Sequence, residues 1–200
     1  MIEFKNISKS FSSKNNLKNI SFKIKEGESV AIIGQSGEGK SVLLKHFNGL
    51  MMPDSGQVIV HKKVINQLSF SELQSIRKNM SMVFQFGALF DSLSIRDNIL
   101  ISLDNNTSLN SKEKENRIIE SLNEVNLSNI QHLYPNDLSG GMKKRVGISR
   151  AISIKPKYLL YDEPTTGLDP INTGKIIKLM KKIKKNKSIT SIVVTHELKI

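Results

Sequence analysis

SVAIIGQSGEGKS, residues 29–41, decides the fold. Val30 to Ile33 form a short β-branched apolar run, which predicts a strand buried on both faces of a parallel sheet. The run breaks at Gly34. Gly34, Gln35, Ser36, Gly37, Glu38, Gly39, Lys40 and Ser41 then fit G-x-x-x-x-G-K-[ST], and Val42-Leu43-Leu44 resume as a helix. Glycines that let main-chain N–H groups turn inward, followed by a helix N-terminus, make a cradle for a polyphosphate. Lys40 is placed to reach the β and γ phosphates and the Ser41 hydroxyl to ligate Mg²⁺. The competing reading is a glycine-rich turn that binds nothing, so the remaining chain has to decide.

The chain has 200 residues, no cysteine and a net charge of +12. That length suits one domain or a core with an inserted lobe, and disulfide frameworks and thiolate metal sites are excluded. The start, MIEFKNISKS, has no apolar leader, and no window approaches the roughly 20 apolar residues of a membrane span. Only five of the 30 basic residues are Arg. A dispersed Lys excess reads as solvated surface rather than a nucleic-acid footprint, which favours Arg and aromatic platforms. In the densest cluster, residues 178–187, the Lys side chains oppose a stripe of Ile176, Leu179, Met180 and Ile183.

Residues 2–8 and 20–25 alternate apolar and polar, as antiparallel strands with one wet face do. Phe11 falls between them in the loop-like SFSSKNN, where it could stack on an adenine ring or pack the two strands. Residues 57–65 suit a hairpin completing that layer. Residues 68–78 read as a helix and 80–84 as a strand that would pair beside the strand over 30–33 and that ends at Gln85. At such a strand end Gln85 can reach Mg²⁺ or the attacking water, although a lone Gln there is more often ordinary polarity. From 88 to 155 the strand-helix alternation stops. Helices over 94–102, 111–126 and 141–153 predict an inserted helical lobe, with Asp104-Asn105-Asn106 as one break. Gly87-Ala88-Leu89-Phe90 is either core filler or a surface for a partner. Ser139, Gly140 and Gly141 open a second helix N-terminus, which is a second anion site by the same physics.

Residues 158–163, YLLYDE, predict a buried strand closing on two acids. Paired buried carboxylates need a cation or a task. Asp162 is placed for Mg²⁺ and Glu163 for polarising a water as general base. A turn carrying Asp169 follows, and the strand over 189–195 ends at His196, which could hydrogen-bond a γ-phosphate or simply close the strand.

Taken together, Gly34–Ser41, Gln85, LSGGM at 138–142, LLYDEPTTGLD at 159–169 and His196 resemble the nucleotide-binding subunit of an ABC transporter. Within that superfamily, residues 77–99 and 138–152, with Met142 where most members have Gln, resemble the ATPase of Mla-type phospholipid transporters. The resemblance implies an α/β P-loop NTPase with a RecA-like parallel core, an N-terminal antiparallel β subdomain and an inserted α-helical subdomain. The core would comprise 1–87 and 156–200, and the helical subdomain 88–155. It implies ATP and Mg²⁺ as ligands and a head-to-tail homodimer. ATP would lie between Lys40, Ser41, Gln85, Asp162, Glu163 and His196 of one copy and Ser139-Gly140-Gly141 of the other. Phe11 matches the adenine-stacking aromatic, and Asp169 the acid coupling the two sites. A membrane permease would dock through residues 85–91, with Gly87 to Asp91 lining the groove, and lipid-transfer subunits would accompany it. The subunit would then sit in the cytoplasm on the inner face of the membrane, hydrolysing ATP to drive lipid transport. Another importer ATPase, or an ABC ATPase acting on ribosomes or nucleic acid, is the alternative. The family continues past the position of Ile200, so a C-terminal truncation with an exposed sheet edge, or a binding subunit that does not hydrolyse, is also expected.

Overall fold

A computed structural model describes residues 1–11, 14–187 and 189–197, with no statement about the side chains of 14, 15, 186 and 187. The end of the chain at Ile200 and the tip of the SFSSKNN stretch lie outside the described residues.

Two four-stranded sheets organise the molecule. The first is antiparallel and contains β1 (Ile2–Phe11), β2 (Lys14–Ile24), β4 (Ser55–Val60) and β5 (Lys63–Val64) in the order β2-β1-β4-β5. The second is parallel and contains β3 (Ser29–Ile33), β6 (Met80–Val83), β7 (Tyr158–Asp162) and β8 (Thr190–Thr195) in the order β3-β8-β7-β6. Non-consecutive neighbours in a parallel sheet require crossovers, which the helices supply. These are α1 (Lys40–Phe47), α2 (Phe70–Arg77), the group α3 (Ile95–Asn106), α4 (Ser111–Glu124) and α5 (Gly140–Ser153), and α6 (Pro170–Lys187).

Side-chain alternation along the parallel strands divides the core in two. Tyr158, Leu160, Ile192 and Val194 face a cluster with Phe4, Phe47 and Val58 beneath the antiparallel sheet. Leu159, Tyr161 and Val193 face a second cluster with Ile99, Leu122, Ile148 and Ile176. The stripe Ile176, Leu179, Met180 and Ile183 is buried, as its helical spacing predicts.

Six local expectations are corrected. β3 takes the end of the described parallel sheet beside β8 alone and is not buried on both faces, with Ile33 51% exposed. β6 pairs with β7 at the opposite end of that sheet and not with β3. Phe11 is the last residue of β1 rather than part of a loop, and β2 begins at Lys14. Register shifts between Phe4 and Ile7, Ile7 and Lys9, and Lys9 and Ser10 break the alternation, which hides how far the strands over 2–8 and 20–25 extend toward each other. The hairpin after Gly56 is shorter than 57–65, because a single 3₁₀ turn takes over at Ile65. Asp104-Asn105-Asn106 does not break α3. The Asn105 and Asn106 amides donate to Ile101 O (2.9 Å) and Ser102 O (2.8 Å), so these residues serve the helix's last turn. The strand over 158–163 stops at Asp162, because Glu163 turns to a left-handed φ of 48°.

Candidate functional site

The parallel order brings the carboxyl ends of β3, β8, β7 and β6 side by side, and the chain segments leaving them meet at one cavity. Gly34 N–H donates to Thr195 O (3.3 Å), so the loop after β3 starts beside the end of β8. The cavity has a volume of about 740 Å³ and is walled by Asn16, Gln35, Ser36, Gly37, Gly39, Lys40, Ser41, Gln85, Glu163, Thr166 and His196. A space of that size holds a nucleotide-sized ligand.

Gly39 precedes α1 at φ 89°, and a Cβ there would lie 2.5 Å from Asn16 O, so only glycine fits between the loop and β2. Lys40, at the helix N-terminus, is buried. Its ammonium donates to Gly34 O (2.8 Å) and Gln35 O (2.7 Å) and pairs with Glu163 Oε1 at 3.4 Å. Glu38 folds back over the loop, where its Oε2 accepts the Gln35 N–H at 2.6 Å. Ser41, which walls the cavity, donates from its Oγ to Asp162 Oδ1 at 2.7 Å, so a buried carboxylate lies behind the wall and does not itself line it.

Glu163 is held from three sides. His196 Nδ1 donates to its Oε2 at 2.7 Å, and Thr166 Oγ1 donates to the same oxygen at 3.1 Å. Burial pushes its carboxyl up, but the hydrogen bonds from Thr166 and His196 and the charge of Lys40 outweigh that and hold it below the ordinary glutamate range. The group is therefore ionised at neutral pH and able to accept a proton.

Other expected residues stand apart. Phe11 is 42% exposed, does not wall the cavity, and sits under Lys9, whose ammonium is 5.6 Å from the ring centroid. Asp169 caps α6, accepting the N–H groups of Ile171 and Asn172 at 2.9 Å each. The Asn172 main-chain and side-chain hydrogen bonds lower its carboxyl's pKa. Ser139, Gly140 and Gly141 form the α5 N-terminus, where Ser139 Oγ accepts Met142 N–H at 3.4 Å, and they do not wall the Lys40 cavity of their own chain.

Some contacts were not legible in the sequence. Asn16 walls the cavity, and its buried Oδ1 finds no hydrogen-bond partner among the described residues. Lys144 and Arg150 of α5 are staples rather than surface charge. Lys144 donates to Pro164 O (3.1 Å) and Thr166 O, and Arg150 donates to Gly87 O and Ala88 O (2.8 Å each). Nothing in the spacing of KKRVGISRAI signals these partners, because they are main-chain carbonyls of distant turns. Beyond Gln85, Phe86 is 76% and Phe90 53% exposed, while Gly87 is buried and Leu89 packs on the core. A separate groove of about 290 Å³ between β6 and α3 is lined by Leu50, Phe84, Phe90 and Ile101.

A glycine-rich loop, a buried hydroxyl-carboxylate pair and a constrained glutamate at the carboxyl ends of one parallel sheet narrow the family, and comparison with known proteins decides it. Residues 17–166 match the ABC transporter family. The chain belongs to that family. It is 44% identical over 203 residues to the methionine import ATP-binding protein MetN of Clostridium tetani, covering 100% of this chain and 63% of that protein. It is 37% identical over 198 residues to the intermembrane phospholipid transport system ATP-binding protein MlaF of Haemophilus influenzae, covering 99% and 75%. Among solved structures it resembles the dimeric bacterial ABC transporter cassette MJ0796 with a TM-score of 0.89 at 35% identity, covering 99% of this chain and 89% of that one. A post-hydrolysis dimer of the same cassette bound to ADP and Pi gives 0.88 at 34%. The chain spans 60–63% of the length of the MetN proteins it matches. Among the described residues, no helix is long and apolar enough to cross a membrane.

Proposed function

We propose that this chain is the ATP-hydrolysing subunit of an ABC transporter. The observation that carries the reading is Glu163, ionised and held by His196 and Thr166 within 3.4 Å of the phosphate-loop lysine. The Gln35–Ser41 loop and the α1 N-terminus bind the polyphosphate, with Gly34 and Gly37 giving the loop its turn. Lys40 exchanges its loop carbonyls for β and γ oxygens. Glu163 accepts a proton from the attacking water while Gln85 orients it, and His196 hydrogen-bonds the γ-phosphate through a ring N–H.

The residues present fit Mg²⁺. Ser41 and Asp162 already meet as hard oxygen donors with a single carboxylate, and Gln85 walls the same cavity. Ser41, Gln85 and Asp162 would hold the ion, which when bound neutralises phosphate charge and orients the phosphate oxygens.

The site is completed by a second copy arranged head to tail, whose Ser139-Gly140-Gly141 turn meets the γ-phosphate and whose Asp169 lies at the junction. Support comes from the dimeric form of MJ0796 and from the absence of Ser139–Gly141 from their own chain's cavity. Phe11 meets the adenine from the edge of the antiparallel layer. The catalytic core comprises 1–87 and 156–200, and the helical subdomain 88–155. A permease docks in the groove reached by Phe90, with residues 85–91 as the sensing segment, and so holds the subunit on the cytoplasmic face of a membrane.

The cargo reading is lipid, supported by the Mla-type segments 77–99 and 138–152, by Met142 and by the likeness to MlaF. Lipid-transfer subunits would then join the complex. The 44% identity to MetN favours a second reading, import of an amino acid. With the cognate permease in membranes, ATPase stimulation by phospholipid supports the first and stimulation by methionine with a binding protein supports the second.

Glu163→Gln tests the core reading. ATP turnover is expected to fall at least about a hundredfold while ATP binding persists. Turnover at the parent rate would overturn the assignment of the base.

A further inference from the structure

Lys144 is 7% exposed, and the nucleotide cavity makes no use of it. Burying an ammonium is costly, so its partners indicate what it is for. Both of its hydrogen bonds go to main-chain carbonyls, Pro164 O at 3.1 Å and Thr166 O, in the turn that follows the catalytic-site glutamate. Burial lowers the pKa of the ammonium, and the charges of Glu197 and Glu163 raise it again.

That turn needs restraint. Glu163 leaves β7 with a left-handed φ of 48°, a conformation that a non-glycine residue keeps only when its surroundings over-determine it. Two main-chain bonds help: Glu163 N–H to Val194 O (3.0 Å) and Thr166 N–H to Glu163 O (3.3 Å). The Thr166 hydroxyl then holds Glu163 Oε2 at 3.1 Å. Thr166 is thus gripped at its carbonyl by Lys144 and grips the carboxylate with its hydroxyl. Lys144 itself lies on α5, five residues after Ser139, so its grip ties the acid to the helix whose N-terminus carries the Ser139-Gly140-Gly141 turn.

We propose that Lys144 is a positioning residue for hydrolysis, fixing the 164–166 turn to α5 so that Thr166 holds the Glu163 carboxylate where it meets the attacking water. This rests on the hydrolytic reading of Glu163. Lys144 touches neither ATP nor water. Its removal therefore lowers kcat and leaves nucleotide binding in place.

The test is steady-state ATPase kinetics on the whole protein, alongside circular dichroism. Lys144→Met is expected to lower kcat by about tenfold to a hundredfold, since small misplacements of a reacting group cost that much, while KM for ATP changes by less than about twofold. Lys144→Arg, which can donate to both carbonyls, recovers most of the loss. Thr166→Val lowers kcat to a similar extent, and the double variant is no slower than the worse single one, because both changes cut the same path. A purely structural role predicts parallel losses of kcat, ATP affinity and fold. Parent-like kcat in Lys144→Met, or independent multiplication of the Lys144→Met and Thr166→Val effects, overturns the proposal. Should Lys144→Met fail to fold, Lys144→Gln, whose shorter side chain keeps an amide donor group without the charge, takes its place in the cycle, and parent-like kcat there overturns the proposal equally. A parent protein without turnover overturns the hydrolytic reading and this assignment with it. A parent that turns over beside an unaffected Lys144 variant overturns only the assignment of Lys144.

Discussion

In the Gly34–Ser41 loop the Glu38 carboxylate accepts the Gln35 N–H at 2.6 Å, so an incoming phosphate meets an anion already seated on one of the cradle's donors. Displacing it frees the N–H and removes like-charge repulsion near a helix N-terminus, an effect of about 0.3–1 kcal/mol. Glu38→Ser is therefore expected to tighten ATP binding about twofold to fivefold, read by titration with a fluorescent nucleotide. Unchanged or weaker binding would contradict this account of the loop. The acids at this site are legible from sequence because an apolar strand that ends in Asp162-Glu163 leaves two buried charges with no local partners. Lys144 and Arg150 carry the opposite lesson. Their charges stand in a run of basic residues, and their partners are carbonyls about 20 and about 60 positions away in the chain, which no spacing encodes.

At the scale of elements, α5 is the strut between the two turns that frame the cavity, and its close approach is built on glycine. A Cβ at Gly147 would lie 3.1 Å from Gly87 Cα and 3.3 Å from Gly87 O, both main chain and unable to swing aside. Gly174 in α6 faces open space, with nothing within 4 Å of a Cβ. The two helical glycines should part company on replacement. Gly174→Ala is expected to stabilise by about 0.5–1 kcal/mol through helix propensity. At Gly147 overpacking of about 1–3 kcal/mol outweighs that gain. Urea midpoints measure both, and a Gly147→Ala protein as stable as Gly174→Ala would contradict the close approach. An apolar run such as Val30–Ile33 does not tell an end strand from a central one, and β3 proves to be an end strand. Helical positions are legible here because periodicity survives along them. The antiparallel layer was less so: three register shifts along β1 interrupt its alternation, and Asn6 and Asn19 take left-handed φ values of 51°. The same interruption explains why Phe11 reads as a loop residue and Asn16, a cavity wall, goes unnoticed.

At the scale of the whole molecule, a single chain brings the Gln35–Ser41 loop, Gln85, Glu163 and His196 to one cavity, with Asp162 behind Ser41, yet leaves Ser139–Gly141 outside that cavity. In the proposed two-fold arrangement of two chains the cavity of one would meet the α5 N-terminus of the other. That arrangement is the central claim. With no native cysteine, the chain allows a direct measurement. Cysteines placed at Ser36 and Ser139 in the Glu163→Gln background, followed by mild oxidation with and without ATP, report whether the loop of one chain meets the turn of another. The account predicts a disulfide-linked dimer that forms with ATP and is scarce without it. Monomer alone, or cross-linking indifferent to ATP, would contradict it.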